Sequence, residues 1–197
     1  MANYRAIAAT GAALAGLIRD RYPREEFGSG LTVALYQTRD FEHPMEGDGF
    51  SVYLFRVAVN GTVRNRPPRR TPDGRRYRPS LPLDLYFMVT AWAQDVERQL
   101  RMLGWVMRLL EDVGTLSAGH LNHYLQENDT FDAHEAVELV CDPLSLSEYL
   151  TLWDRLRPRL PASATYTLRM VSLDSELPLA EGTPVQTRRF DLAQVVE

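Results

Sequence analysis

Residues 50–60, FSVYLFRVAVN, constrain the fold more than any other segment of the chain. The run is rich in β-branched and aromatic residues, which favour an extended strand. Both of its alternating sets are apolar: Phe50, Val52, Leu54 and Ala58 form one, and Tyr53, Phe55, Val57 and Val59 form the other. A strand that is apolar on both sides is covered on both sides, by helices or by a neighbouring subunit. The sequence therefore predicts a sheet that lies between two layers.

The remaining elements follow from apolar periodicity. Strands are predicted at 31–38, 50–60, 81–93, 136–142 and 164–175, and helices at 4–18, 95–113 and 146–156. Ser145 and Glu148 have the spacing of a capping box, which marks the start of the last helix. This order predicts an α/β (α+β) fold with a mixed, largely antiparallel sheet flanked by helices. Residues 1–175 are predicted to form one domain, and 176–197 a C-terminal tail with a possible strand at 185–192.

Two of the predicted helices have a face whose residue types indicate what packs against it. In the helix at 95–113 one stripe recurs at helical spacing and is predicted to face the core: Val96, Leu100, Leu103, Met107 and Leu110. The first helix has an apolar stripe and a second face of small residues: Ala6, Ala9, Ala12, Ala13 and Gly16. Small residues permit the close approach of another element. Two interpretations of this face stay open, an alanine-rich surface in solvent and a contact with another subunit.

The strand at 81–93 contains a carboxylate, Asp84, in an otherwise apolar sequence. We find no base, metal ligand or nucleophile in the sequence that obviously joins it. We therefore expect Asp84 to form a structural salt bridge, with Arg56 on a neighbouring strand or with an arginine of the adjacent loop.

The sequence contains little that would support catalysis. All 22 basic residues are arginine, which excludes a phosphate-binding or Schiff-base lysine, and neither G-x-S-x-G nor G-x-G-x-x-G occurs. Cys141 lies alone in an apolar run, and His120 and His123 lack a second close-spaced pair of ligands. We predict a non-enzymatic protein without cofactor or metal. The single cysteine and the absence of a run of about 20 apolar residues predict synthesis in the cytoplasm and no membrane contact.

Residues 61–80, GTVRNRPPRRTPDGRRYRPS, concentrate positive charge. Seven arginines against Asp73 give +7 − 1 = +6, which leaves −4 − 6 = −10 for the rest of the chain. Prolines and the turn at Pro72-Asp73-Gly74 predict a long arginine-bearing loop or ribbon. The predicted partner-binding residues are Arg64, Arg66, Arg69, Arg70, Arg75 and Arg76, with Arg188 and Arg189 in the tail.

Arginine pairs bidentately with carboxylate or phosphate, so this segment suits an acidic partner. A protein surface is favoured over nucleic acid, because Tyr77 is the one aromatic residue interleaved with these arginines. A mobile, solvated loop is the alternative interpretation.

Four ordered blocks resemble the Pvc16-type (DUF4255) family: FSVYLFRVAVNGTVRN (50–65), RPSLPLDLYFMVTAWA (78–93), QLRMLGWVMRLLED (99–112) and LSLSEYLTLWDRLRPRLPASATYTLRMVSLDS (144–175). The resemblance implies a tail-terminator-like fold and a cap protein of a phage-tail-like contractile injection system. It further implies a hexameric ring that contacts sheath and inner-tube proteins at the baseplate-distal end of a particle that is released or membrane-docked. The arginine-rich loop at 66–78 and the tail depart from the common pattern. The alternatives are a tail-completion or connector protein of a contractile-tailed phage and, less favoured, a nucleic-acid-binding module that uses the arginine loop.

Overall fold

A six-stranded sheet organises the chain in the computed structural model, which describes residues 2–43, 45–71, 73–125, 129–156 and 161–179. The described strands are β1 (Thr32–Tyr36), β2 (Gly49–Val59), β3 (Arg69–Arg70), β4 (Arg76–Tyr77), β5 (Leu81–Trp92), β6 (Thr115–Ser117), β7 (Ala136–Cys141) and β8 (Ser163–Leu173). The large sheet has the order β1-β2-β5-β8-β7-β6, and β3 pairs with β4 in a separate hairpin. β1 and β2 are parallel, and the other described pairs are antiparallel. The predicted mixed, largely antiparallel sheet is confirmed.

The helices in the described ranges are α1 (Ala6–Arg21), α2 (Arg24–Phe27), α3 (Val96–Val113), α4 (Ala118–His123) and α5 (Leu146–Leu156). α3 begins at Asp95, whose carboxylate accepts the N–H of Arg98, and ends at Gly114, which has a φ of 57°. α5 begins with the predicted capping box. The Glu148 N–H donates to Ser145 Oγ at 3.3 Å, and the Ser145 N–H donates to Glu148 Oε2 at 3.1 Å.

One side of the sheet, which we call the helix face, is covered by α1, α3 and α4. Ala6, Ala9 and Ala13 of α1 are fully buried there, so most of the small face of α1 packs inside the chain. At Gly16 the ring of Tyr124 approaches so closely that an added Cβ would lie 2.3 Å from its Cδ1. Neither interpretation of the small face foresaw this packing within the chain.

The opposite side of the sheet, the α5 face, carries a second apolar cluster. Phe41 lies at its centre, with ring centroids 5.2 Å from those of both Tyr36 and Tyr53 and 5.6 Å from that of Trp153. Met88 of β5 is fully buried in the same cluster. The sheet is therefore covered on both sides, as the two apolar sets of β2 predict.

A β-bulge between Leu54 and Arg56 changes the alternation along β2. Leu54 pairs with Phe87 and Arg56 pairs with Tyr86, so Phe55 is the extra residue. Beyond the bulge, Val57 and Val59 lie opposite Leu85 and Leu83, on the helix face. The predicted grouping of Val57 and Val59 with Tyr53 and Phe55 is wrong for this reason.

The side of α3 that faces the sheet also differs from the prediction. Met102, Val106 and Leu110 are fully buried, whereas Val96, Leu100 and Met107 are 67%, 53% and 40% exposed. α3 has apolar residues along two adjacent stripes, and helical spacing alone does not show which stripe is turned inward. Of the predicted stripe, Leu110 is buried and Leu103 is half-buried.

Candidate partner-binding surface

The arginine-rich segment folds into the β3–β4 hairpin. Its turn is closed by the Thr71 N–H, which donates to the Arg75 carbonyl at 3.0 Å, and by the Gly74 N–H, which donates to the Thr71 carbonyl at 2.9 Å. Gly74 has a φ of 84°, a conformation that suits glycine. The Thr71 hydroxyl donates to Asp73 and, with Arg75 nearby, holds the pKa of Asp73 below its ordinary value. The loop therefore has a defined, hydrogen-bonded structure.

The hairpin lies against the chain's own segment after β8. The Arg78 N–H donates to the Leu177 carbonyl at 3.1 Å, and the Leu179 N–H donates to the Arg76 carbonyl at 2.8 Å. Tyr77 forms an isolated antiparallel bridge with Pro178. Residues 177–179 thus run beside β4 and extend the hairpin by one short segment.

Two of the predicted partner-binding arginines point inward. Arg66 Nη1 donates to Ser172 Oγ at 3.0 Å. Arg69 Nη2 donates to the Ser175 carbonyl at 3.3 Å, and Arg69 Nε lies 3.5 Å from Asp174 Oδ2. The Arg69 guanidinium also lies 4.7 Å from the ring centroid of Tyr77. Arg66 and Arg69 therefore hold the hairpin to the chain itself.

The other arginines of the segment point outward. Arg64, Arg70, Arg75 and Arg76 are exposed, as is Arg78, which the sequence did not single out. Arg75 Nε lies 3.1 Å from Asp73 Oδ2, so its charge is partly neutralised. Arg188 and Arg189 lie outside the described residues. Besides Arg75, the segment at 61–80 therefore exposes the positive charges of Arg64, Arg70, Arg76 and Arg78.

Asp84 has different partners from the one predicted. Its carboxylate accepts two hydrogen bonds from Asn60 Nδ2, at 3.0 and 3.2 Å, and one from the Met170 N–H at 3.2 Å. Arg56 lies opposite Tyr86 in the sheet, and its guanidinium is 5.0 Å from that ring centroid. In the described part of the chain the predicted Asp84–Arg56 salt bridge is therefore replaced by neutral partners, and Asp84 lies opposite Ala58 in the sheet.

Asp84 stabilises two irregular pieces of backbone that sequence reasoning missed. Met170 has a φ of 67°, which is unusual for a residue other than glycine, and the Asp84 carboxylate accepts its N–H. Asn60 Oδ1 accepts the N–H groups of Thr62 and Val63 at 3.1 and 3.3 Å and so turns the chain into the arginine segment. The Asn60-Gly61 pair was the one sequence indication of this turn.

The candidate catalytic and metal-binding groups remain separate. Burial, with Glu111 and Asp142 nearby, raises the pKa of the Cys141 thiol, which disfavours the reactive thiolate. His120 Nδ1 lies 3.2 Å from Ser117 Oγ, and His123 stacks edge-on against Tyr124. Across the described residues no three His, Cys, Asp or Glu side chains are grouped so as to hold a metal ion.

None of the described helices combines the length and apolarity that a bilayer-spanning helix needs.

Solved structures share this fold. Over 96% of its length the chain is similar to the sheath/tube terminator of PVC, an extracellular contractile injection system, in the extended state, with a TM-score of 0.60 and 13% identity. Over 93% of its length it is similar to the tube-terminating cap of the anti-feeding prophage, with a TM-score of 0.55 and 14% identity. The chain spans 64% and 60% of those two proteins. Identities this low show the fold alone.

Comparison with curated proteins gives no match. Residues 9–187, in contrast, match the Pvc16 N-terminal domain across nearly the whole sequence. This confirms the resemblance seen in the four sequence blocks, and the chain belongs to the Pvc16 N-terminal domain family.

Proposed function

We propose that this chain is a structural subunit of the cap that ends the tube and sheath of a contractile injection system. The observation that carries the proposal is the family match over residues 9–187. It is supported by the fold, which is similar to that of two terminator caps over 96% and 93% of the chain. The role we propose is assembly rather than catalysis.

The partners we propose are further copies of the chain, in a hexameric ring, and the sheath and inner-tube proteins at the baseplate-distal end. The outward arginines Arg64, Arg70 and Arg76 suit acidic surfaces of these proteins, because guanidinium groups pair with carboxylates. Cytoplasmic synthesis followed by incorporation into the particle fits this role. A ring also requires two different contact surfaces on each subunit.

Electron microscopy of particles from a strain that lacks the gene tests this function. We expect tubes and sheaths of uncontrolled length with open distal ends, because nothing stops their growth. Supplying the gene from a plasmid should restore a single length and a closed end. Capped particles of normal length in the deletion strain would contradict the proposal.

A further inference from the structure

We propose that Asn60 is a site of spontaneous deamidation, and that the carboxylate of Asp84 controls the rate of this reaction. The inference concerns the turn into the arginine segment and does not depend on the proposed cap function. Of the five asparagines in the sequence, Asn60 is the one that a glycine follows. Glycine has no side chain to hinder the approach of its main-chain nitrogen to the preceding side chain. Asn60 is therefore the asparagine of this chain most open to attack by the next residue.

The reaction needs only water besides the chain itself. The main-chain nitrogen of Gly61 attacks Cγ of Asn60, so a bond forms between these atoms and the bond from Cγ to Nδ2 breaks. The amide NH2 takes up the proton of the Gly61 nitrogen and leaves as ammonia, which closes a cyclic succinimide. Water then opens the ring. Addition of water at Cγ gives aspartate at position 60, and addition at the main-chain carbonyl carbon gives isoaspartate.

The attacking nitrogen of Gly61 is available in the folded chain. Gly61 is exposed, and a Cβ added to it would have no described atom within 4 Å. The neighbouring N–H groups are occupied: that of Asn60 donates to the Pro82 carbonyl at 2.9 Å, and those of Thr62 and Val63 donate to Asn60 Oδ1. Within the described part of the chain, the Gly61 N–H takes part in no hydrogen bond. The nucleophile of the reaction is therefore free.

The amide of Asn60, in contrast, is held at both ends. Its Nδ2 donates to the two carboxylate oxygens of Asp84 at 3.0 and 3.2 Å, and its Oδ1 accepts the N–H groups of Thr62 and Val63 at 3.1 and 3.3 Å. Hydrogen bonds to a carboxylate are stronger than those between neutral groups. Ring closure has to turn Cγ toward the Gly61 nitrogen and abolish the planarity of the amide, which these bonds oppose. Asp84 therefore keeps Asn60 from reacting while the turn is closed.

Deamidation replaces the bonded pair by two like charges. A carboxylate at position 60 stands where Nδ2 of Asn60 now lies, 3.0 Å from an oxygen of Asp84. Two carboxylates that share a site repel each other, and neither is a donor when ionised. Asp84 also accepts the N–H of Met170, so its displacement releases that residue as well. Because ammonia leaves, the change is irreversible. Asn60 and Asp84 thus form a one-way switch at the start of the arginine segment.

Mass spectrometry of aged protein tests the control by Asp84. Arg56 and Arg64 flank the site, so trypsin releases residues 57–64 as one peptide in which the deamidated fraction is measured. Purified wild-type protein and the Asp84→Ala variant are incubated side by side at neutral pH. We expect Asp84→Ala to deamidate about tenfold faster or more, because the loss of the acceptor makes local opening of the turn easier. An unchanged rate would overturn the inference.

Gly16→Ala is the matched control for this experiment. It also lowers the stability of the fold, through the ring of Tyr124, but it leaves the Asp84–Asn60 contact intact. We expect its deamidation rate to stay close to that of the wild type. Equal rates in Gly16→Ala and Asp84→Ala would overturn the inference, because deamidation would then follow global unfolding. Asp84→Asn, which keeps the shape of the side chain but not its charge, replaces Asp84→Ala if that variant does not fold, and it should also react faster than the wild type.

The consequence of the reaction has its own test in Asn60→Asp, the product made by mutation. We expect the amides of Val63 and Met170 to exchange hydrogen about tenfold faster or more than in the wild type, because the new carboxylate repels Asp84. The matched control is Asn65→Asp, which adds the same charge at an exposed position of the same segment. It should leave both exchange rates unchanged. Wild-type protection of both amides in Asn60→Asp, or equal exchange in the two variants, would overturn the switch.

Discussion

At the scale of single residues, Asp84 shows how one carboxylate in an apolar strand can serve the backbone rather than chemistry. It accepts hydrogen bonds from the Asn60 amide and from the N–H of Met170, whose φ is 67°. Both partners belong to irregular points of the chain, the turn into the arginine segment and a register shift between β5 and β8. Its role is to hold these two irregularities together.

Substitution of Asp84 tests this role. Asp84→Ala should lower the free energy of unfolding by about 1–3 kcal/mol, because the Met170 N–H and the Asn60 amide lose their acceptor. Arg56→Ala should lower the free energy of unfolding by about 0.5–1 kcal/mol, because the guanidinium loses its contact with the Tyr86 ring. Urea denaturation of single and double variants measures both effects. The coupling energy between Asp84 and Asn60 should exceed about 0.5 kcal/mol, and that between Asp84 and Arg56 should be near zero.

A larger coupling of Asp84 with Arg56 than with Asn60 would restore the salt bridge that the sequence predicted. From the sequence alone that bridge was reasonable, since a carboxylate in an apolar strand needs a polar partner. The identity of the partner depends on the register of β2 against β5, in which Arg56 lies opposite Tyr86 and Asp84 lies opposite Ala58. Residue types alone do not reveal that the amide of Asn60, beyond the end of β2, reaches the carboxylate.

At the scale of elements, Gly16 of α1 and Gly104 of α3 have opposite surroundings. Gly16 receives the ring of Tyr124, whose hydroxyl donates to Asp20 on the same helix at 2.6 Å. Among the described residues, no atom lies within 4 Å of a Cβ added at Gly104. The same residue type therefore marks tight packing within the chain in one helix and an uncovered surface in the other.

Alanine substitutions separate these two situations. Gly16→Ala should lower the free energy of unfolding by about 1–3 kcal/mol, because the new methyl group overlaps the Tyr124 ring. Gly104→Ala should raise it by about 0.5–1 kcal/mol, because alanine restricts the unfolded chain and meets no neighbour. Chemical denaturation at subunit concentrations too low for assembly measures both values. A lower free energy of unfolding for Gly104→Ala under these conditions would contradict the open surroundings of Gly104.

Most elements were predictable because they are long enough to show a period. The predicted helices at 95–113 and 146–156 correspond to α3 and α5, and the predicted strand at 81–93 corresponds to β5. The hairpin strands β3 and β4 have two residues each and β6 has three, too few for any periodic pattern. The exposed flank of α3 was not predictable either, because both of its stripes are apolar.

At the scale of the whole molecule, contacts between distant parts of the sequence determine where the positive charge lies. Arg66 and Arg69 reach Ser172 and Ser175, each 106 residues away along the chain. The Asp174 N–H donates to the Ala2 carbonyl at 2.8 Å, so the start of the chain meets the same segment. The sequence predicted the charge of the arginine ribbon, but such long-range partners leave no local pattern.

The matched pair Arg69→Ala and Arg70→Ala tests the attachment of the hairpin. Arg69 has a side chain 18% exposed and pairs with Asp174, whereas Arg70 points outward. Arg69→Ala should speed hydrogen exchange at the amides of Arg78 and Leu179, which join the hairpin to residues 177–179, because local opening becomes easier. Arg70→Ala should leave both rates unchanged. Equal exchange in the two variants would mean that Arg69 does not hold the hairpin in place.

The bulge in β2 determines what happens to the sheet when β2 loses one residue. In a regular strand, adding or removing one residue turns every later side chain to the opposite side. Phe55 and Arg56 both lie on the α5 face, with Leu54 before them and Val57 after them on the helix face. Deleting Phe55 would therefore leave every other β2 side chain on its present side. Position 55 is a point where β2 can lose one residue and still keep Val57 and Val59 on the helix face, opposite Leu85 and Leu83.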